Sequence, residues 1–147
     1  MAVNTFELEQ VLIYRREMEK IRKQEFAVAK QVLDHANQEL QREEELVALL
    51  SQEFQRCQQD IGCIDDMRLY MDFFSRKREE IKQYGERIEQ LDHIMDEKRT
   101  DLMEASKEKR VLESLKEKKA VEFRQVIASK ERNFLDEISI QKKGKTA

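Results

Sequence analysis

The side chains in this sequence that could support catalysis or metal binding are two cysteines, two histidines and numerous carboxylates. Cys57 and Cys63 lie six residues apart, a spacing that matches neither a CxxC redox pair nor half of a zinc site. His35 and His93 are isolated and are expected to be satisfied or solvated rather than metal-bound. Glycine-rich phosphate loops and the GxGxxG and HExxH motifs are absent. The sequence therefore predicts no catalytic residue, no cofactor and no metal, and a protein that is not an enzyme.

The composition is that of a thin helical protein rather than a compact globule. Charged residues make up 40% of the 147 residues, proline is absent and glycine occurs three times. A chain this polar cannot fill a thick core, so its apolar residues must be spread along a seam. The net charge of -3 has both signs interspersed and lacks the basic stripe that nucleic-acid binders need. The longest apolar run, residues 46–50, is far short of the roughly 18 residues of a membrane span, and no signal peptide is visible, so we expect a cytosolic protein.

Apolar residues recur at alternating steps of three and four, the spacing that keeps one stripe of a helix facing a partner helix. The first stripe is predicted to slip by one residue near its middle, because a 3.5-residue repeat drifts against the 3.6-residue helix. Its members are Val11, Tyr14, Met18, Ile21, Val28 and Val32, then Leu33, Ala36, Leu40, Val47, Leu50, Phe54, Cys57, Ile61 and Ile64, with Glu43 at one position. The second stripe contains Met67, Tyr70, Phe74, Ile81, Tyr84, Ile88, Leu91, Met95, Leu102, Ala105 and Leu112, and after another slip Leu115, Ala120, Phe123, Ile127, Phe134 and Ile138.

A hairpin turn is predicted at Gly62, the glycine where the first stripe gives way to the second. Gly62 can adopt the left-handed conformation that ends a helix, and Asp65 or Asp66 can cap the helix that follows. The predicted fold is therefore a single all-α domain of two long helices that form an antiparallel coiled-coil hairpin. We expect helix one over about residues 6–59, the turn over about 60–66, helix two over about 67–139 and a flexible tail over 140–147.

The unequal lengths of the two helices predict an overhang. A turn at Gly62 places Phe6 opposite Lys118, so about twenty residues at the end of helix two extend alone. This overhang keeps an apolar stripe at Phe123, Ile127 and Phe134. A lone helix with an exposed apolar stripe is poorly stabilised in water, so the stripe is expected to bind a partner.

Two clusters each leave two interpretations open. The aromatic residues around the turn form either a wider core or a partner-binding patch, and they are Phe54, Tyr70, Phe73, Phe74 and Tyr84. Adjacent phenylalanines cannot both enter one narrow seam, so at least one of Phe73 and Phe74 should be exposed. The basic cluster near the N-terminus forms either a solvated face or a docking surface for an acidic partner, and contains Arg15, Arg16, Lys20, Arg22 and Lys23.

Two terminal signatures resemble the FliJ family, the stalk components of the flagellar type III secretion ATPase complex. The first is the opening Phe6-x-Leu8-x-x-Val11-Leu12-x-Tyr14-Arg15. The second is the run from Arg110 to Lys118, followed by Phe123 and then by Phe134-Leu135-Asp136-Glu137. The likeness extends over nearly the whole chain, including its length and central break.

The resemblance implies a fold and a set of partners. Proteins of this family are antiparallel two-helix coiled coils similar to the γ stalk of rotary ATP synthases, and they sit at the centre of a hexameric export ATPase. The end that carries both termini would engage the ring, through Tyr14, Arg15, Arg16, Phe123 and Phe134. The turn end would contact the cytoplasmic domain of the membrane export gate, through Val47, Leu50, Phe54, Phe73 and Tyr84. Lys77 and Glu80 lie beside this second set, where less polar residues would be expected.

The family is also implicated in recycling empty export chaperones, to which no residues are assigned here. The expected protein is a monomer without a nucleotide site, cytoplasmic and peripherally associated with the inner membrane at the flagellar basal body. Two alternatives remain open: the equivalent stalk of a virulence injectisome, and a structural coiled-coil tether that forms a homodimer. A hairpin requires the break at Gly62, whereas a tether does not.

Overall fold

The structure, a computed structural model, describes residues 5–59 and 64–145. Helix α1 comprises Glu9–Cys57 and helix α2 comprises Ile64–Lys145. No strand occurs within the described ranges. The predicted turn at Gly62 and the second cysteine, Cys63, lie outside the described residues. Helix α2 continues through residues 140–145, where a flexible tail was expected.

The two helices pack against each other in antiparallel orientation, which confirms the predicted all-α coiled-coil hairpin. Near the start of α1, Glu9 pairs with Lys116, whereas further along α1, Glu43 pairs with Lys77. The chain divides into two compact units. The terminal unit contains the described residues up to Lys20 together with those from Met103 onward, and the central unit is Ile21–Leu102.

The side chains that face the other helix follow one unbroken seven-residue period in both helices. On α1 the buried or half-buried positions at this period are Leu12, Arg15, Glu19, Arg22, Phe26, Ala29, Leu33, Ala36, Leu40, Glu43, Val47, Leu50, Phe54 and Cys57. On α2 they are Met67, Tyr70, Phe74, Lys77, Ile81, Tyr84, Ile88, Leu91, Met95, Lys98, Leu102, Ala105, Lys109, Leu112 and Lys116. This is coiled-coil packing at positions a and d of a heptad.

The predicted stripe in the first half of α1 is wrong by one residue. The structure places Leu12 in the seam, fully buried, and leaves its neighbour Val11 exposed. Further along, the charged residue Glu19 is buried, while Ile21 and Val28 remain exposed to solvent. The predicted slip does not occur, because ion pairs with α2 and aliphatic side-chain stems allow charged residues to occupy the seam.

Within the terminal unit, Leu12 has no exposed surface and Ala105 on α2 is also buried. Within the central unit, Leu33 and Ala36 are the buried apolar side chains of α1. Alanines in the seam of both helices allow close approach of the two backbones, which suits a core one side chain thick.

Replacement of Leu12 by alanine tests this register. We expect Leu12→Ala to lower the free energy of unfolding by about 2 to 4 kcal/mol, because it removes a fully buried side chain. The matched control is Val11→Ala at the adjacent exposed position, which should change stability by less than about 0.5 kcal/mol. Urea denaturation followed by circular dichroism measures both. A larger loss for Val11→Ala than for Leu12→Ala would contradict the register.

Candidate functional site

The predicted site residues fall into two groups, one in each unit. The terminal-unit group is Tyr14, Arg15, Arg16, Phe123 and Phe134, and the central-unit group is Val47, Leu50, Phe54, Phe73 and Tyr84. All ten residues lie on α1 or α2 and within the described part of the chain.

Both arginines of the terminal-unit group are engaged across the helix pair. Arg15 donates from Nη1 to the carboxylate of Glu108, and Arg16 Nε lies 3.5 Å from Oε1 of Glu113. The guanidinium of Arg15 also lies 5.7 Å from the ring centroid of Tyr14, whose side chain is exposed. Two arginines of the basic cluster therefore form ion pairs that hold α1 against α2, so the cluster is not a free positive surface.

Two further ion pairs near these arginines have the cation on α2 and the carboxylate on α1. Lys109 Nζ lies 2.9 Å from a carboxylate oxygen of Glu19, and Lys116 Nζ lies 2.8 Å from one of Glu9. Of these four pairs, two have the cation on α1 and two have it on α2. A shift of α2 along α1 would bring like charges together, so the pattern favours one register.

Phe123 and Phe134 lie further along α2 than these pairs. The ammonium of Lys119 is 5.9 Å from the ring centroid of Phe6, near the start of the described chain. Phe123 is half-buried, but every side chain from residue 124 to 137 is exposed, and Phe134 is 62% exposed. Phe134 lies about 39 Å along α2 from Glu108 at 1.5 Å per residue. The five residues of this group therefore do not form one compact patch.

The central unit contains a cluster of aromatic rings shared by both helices. Phe54 on α1 has its ring centroid 5.7 Å from that of Tyr70 and 5.8 Å from that of Phe74. Tyr70 and Phe74 stack at 6.4 Å. Burial, and then the neighbouring Cys57 thiol, raise the pKa of the Tyr70 hydroxyl. These contacts correspond to the wider core that was one of the two interpretations of the aromatic residues.

Phe73 and Phe74 are both half-buried, which differs from the expectation that one of them would be exposed. Their rings meet edge to face at 6.0 Å, so Phe73 covers the side of the cluster rather than entering the seam. The ammonium of Lys77 lies 5.6 Å from the centroid of Phe73 and shields it further.

Lys77 is a seam residue that the sequence reasoning placed outside the stripe. Its Nζ donates to Glu43 on α1 at 2.7 Å and to Glu80 on α2 at 3.0 Å, and its side chain is only 17% exposed. Hydrogen bonds from the ammonium to these carboxylates, that to Glu43 first, raise the pKa of Lys77. The signal in the sequence was its position midway between Tyr70 and Tyr84, seven residues from each.

The residues of the central-unit group do not all line the same depression. A groove of about 600 Å³ is shared by Val47 and Phe54 with Phe74 and Ile81 of α2. Leu50 is half-buried in the seam. Tyr84 lines a separate depression of about 430 Å³ with Glu80, Gln83 and Arg87.

The described residues contain neither a metal-binding cluster nor a membrane-spanning helix. No group of three or more side chains within residues 5–59 and 64–145 is arranged to hold a metal ion. His35 lies on an exposed face, 3.1 Å from the carboxylate of Glu39. In the described part of the chain, neither helix includes a segment apolar enough to cross a membrane.

Comparison with known proteins gives one match. Residues 5–145 match the family described as "Flagellar FliJ protein", which covers nearly the whole chain and both helices. No curated protein and no solved structure gives a significant match.

The Lys77–Glu43 pair provides a test of the seam in the central unit. We expect Lys77→Met to lower the urea midpoint, because Glu43 then lacks its ammonium partner between the helices. The double variant Lys77→Met/Glu43→Leu should recover much of the loss, because neither charge of this pair remains between the helices. The matched control is Lys82→Met on the exposed face of α2, which should leave the midpoint unchanged.

The same pair predicts a pH dependence. Because the pKa of Lys77 is raised on folding, its stabilisation is complete below the ordinary lysine value of 10.5 and is lost as the pH rises through the raised value. The midpoint difference between the wild type and Lys77→Met should therefore be constant from pH 7 to 9 and shrink at higher pH. A difference that grows above pH 10 would contradict this assignment.

Proposed function

The chain belongs to the FliJ family of flagellar proteins, and from this membership we propose that it is a non-enzymatic stalk of the flagellar protein export apparatus. The observation that carries the proposal is the family match over residues 5–145, which includes both helices and both predicted site groups. The antiparallel helix pair is the architecture expected for such a stalk. The match with a flagellar family also favours the flagellar system over a virulence injectisome.

The proposed partner of the terminal unit is the hexameric export ATPase. Its contact is placed mainly on α2 beyond Lys119, where the exposed aromatic Phe134 follows the half-buried Phe123. Large exposed apolar side chains are the usual anchors of protein interfaces. Tyr14 is also exposed, whereas Arg15 and Arg16 already pair with carboxylates of α2 and would contribute less.

The proposed mechanism rests on symmetry. One monomeric two-helix protein bound inside a sixfold ring cannot make equal contacts with six subunits. Its presence therefore makes the six nucleotide sites inequivalent and favours the conformations to which it binds. In this way the stalk promotes ring assembly and ATP hydrolysis without a nucleotide site of its own.

The proposed partner of the central unit is the cytoplasmic domain of the membrane export gate. Val47 and Phe54 are accessible through the 600 Å³ groove, and Phe73 and Tyr84 through half-buried ring surfaces. Lys77, Glu80 and Arg87 lie between or beside these rings, so the contact would combine aromatic and charged groups. The protein would act in the cytoplasm at the inner membrane of the flagellar basal body, where it would also meet export chaperones.

Stimulation of the cognate export ATPase tests the stalk role. Purified protein added to the ATPase should raise its turnover, and Phe134→Ser should increase the concentration for half-maximal stimulation by roughly tenfold, since an exposed aromatic anchor contributes about 1 to 2 kcal/mol to binding. The matched control is Leu49→Ser, an equally exposed apolar residue of the central unit, which should stimulate like the wild type. An unchanged turnover at saturating protein would contradict the proposal.

Binding to the isolated cytoplasmic domain of the export gate tests the second contact. Phe73→Ser should weaken binding at least several-fold in isothermal titration calorimetry, because it removes an aromatic surface at the proposed contact. Val111→Ser, an exposed position in the terminal unit, is the control and should bind normally. Circular dichroism would establish that both variants keep their helices. Equal affinities for the two variants would place the gate contact elsewhere.

A further inference from the structure

We propose that the exposed apolar side chains beside the seam in the central unit form a docking groove for one amphipathic α-helix of another protein, with basic residues along one flank of that helix. The apolar lining of the groove is Ile21, Val28, Ala29 and Val32 from α1 with Leu91 and Ile94 from α2, and its polar lining is Gln24, Glu25 and Lys98. It is distinct from both site groups described above, and the inference does not depend on the ATPase or gate contacts.

The spacing of the exposed residues identifies a helix as the occupant. Ile21, Val28 and Val32 each precede a seam residue by one position, so they keep the same heptad period as the seam on a neighbouring face of α1. Apolar residues at this period pack against another helix with apolar residues at steps of three and four. Val28 is 59% exposed and Ile21 and Val32 are each at least 40% exposed, so this second stripe is only partly covered.

The shape of the site also suits a helix. The groove has a volume of about 500 Å³ and is walled by both helices, with Ile21, Val28 and Val32 on one side and Ile94 on the other. Ala29 and Leu91 belong to the seam and form its floor. A small residue at Ala29 leaves room for a side chain of the incoming helix to enter between α1 and α2.

Glu25 interrupts the apolar stripe, but its charge is compensated, so it does not prevent an apolar helix from binding. Glu25 receives a hydrogen bond from Arg22 Nη1 at 3.0 Å, and Lys98 Nζ from α2 lies 3.7 Å from the same carboxylate oxygen. The Arg22 hydrogen bond, aided by Lys98, lowers the pKa of Glu25, so the carboxylate stays ionised and compensated by two cations. Its negative charge is therefore balanced, and an apolar occupant would not bury an unpaired carboxylate.

The rims of the groove differ in charge, and this difference sets the chemistry of the partner. The α1 rim carries Gln24 and Gln31, which are uncharged. On α2, Glu97 and Asp101 follow Ile94 by three and seven residues and so share its side of the helix, whereas Lys98, which lines the groove between them, lies 3.7 Å from the carboxylate of Glu25. No ion pair with another described residue engages Glu97 or Asp101. An amphipathic helix with lysine or arginine along the flank facing α2 would complement this rim.

A designed peptide tests the groove. The probe is a fluorescein-labelled 21-residue helix with leucine at steps of three and four and lysine along one flank. Its fluorescence anisotropy should rise on titration with the full chain, and a matched peptide with glutamate in place of lysine should bind at least fivefold more weakly. Val28→Glu places a charge in the centre of the groove and should weaken the lysine peptide at least tenfold, whereas Val111→Glu, equally exposed in the terminal unit, should not.

A charge reversal makes the test specific for the acidic rim. Glu97→Lys/Asp101→Lys should reverse the preference, so that the glutamate peptide binds more tightly than the lysine peptide. Equal binding to Val28→Glu and Val111→Glu, or an unchanged preference after the reversal, would overturn the proposal. Light scattering of the chain alone tests whether the groove binds a second copy. A monomer near 17.7 kDa supports a helix from another protein. A dimer that Val28→Glu dissociates would assign the groove to a second copy and overturn the proposal.

Discussion

The unbroken seven-residue period between α1 and α2 is the constraint on which the other features depend. Once Leu12, Phe26 and Leu33 face α2, every intervening heptad position is fixed, whatever residue occupies it. The period therefore places Glu19 and Lys77 between the helices, where each needs a partner of opposite charge. Such pairs contribute little net stability, because desolvation offsets their attraction. Their main effect is on specificity, since a shifted register would leave charges unpaired between the helices.

The sequence predicted most of this arrangement, since apolar residues occupy most seam positions from Leu33 to Cys57 and from Met67 to Leu112. It failed between residues 11 and 32, where two stripes one residue apart both show steps of three and four. The choice between them depends on Glu108 and Lys109, about ninety residues away along the chain, which pair with Arg15 and Glu19 of one stripe only. Local periodicity contains no such information. Counting heptads backwards from Leu33, however, reaches Phe26, Glu19 and Leu12 without a slip.

The two site groups were predictable to different degrees, because local sequence patterns do not encode contacts across the helix pair. Aromatic residues near the middle of the chain indicated a cluster, and the rings of Phe54, Tyr70 and Phe74 do meet. The part played by each side chain was not predictable, because it depends on contacts across the helix pair. Arg15 and Arg16 are basic residues near an end, and their pairing with carboxylates on α2 could not be read from their position alone. Family membership supplies the flagellar assignment, whereas the helix pair alone is compatible with many functions.

A seam that accepts charged residues also explains why apolar residues remain on the surface. Each charged residue in the seam of α1 takes a position that an apolar side chain would otherwise fill, and the displaced apolar stripe lies one residue away at Ile21, Val28 and Val32. Partly exposed ion pairs contribute at most about 1 kcal/mol each and weaken with salt. Because the stripe is not buried, the isolated chain lacks its hydrophobic stabilisation, and the ion pairs in the seam do not contribute an equal free energy. Burial of this stripe in a complex, as proposed above, would recover that stabilisation as affinity for the partner.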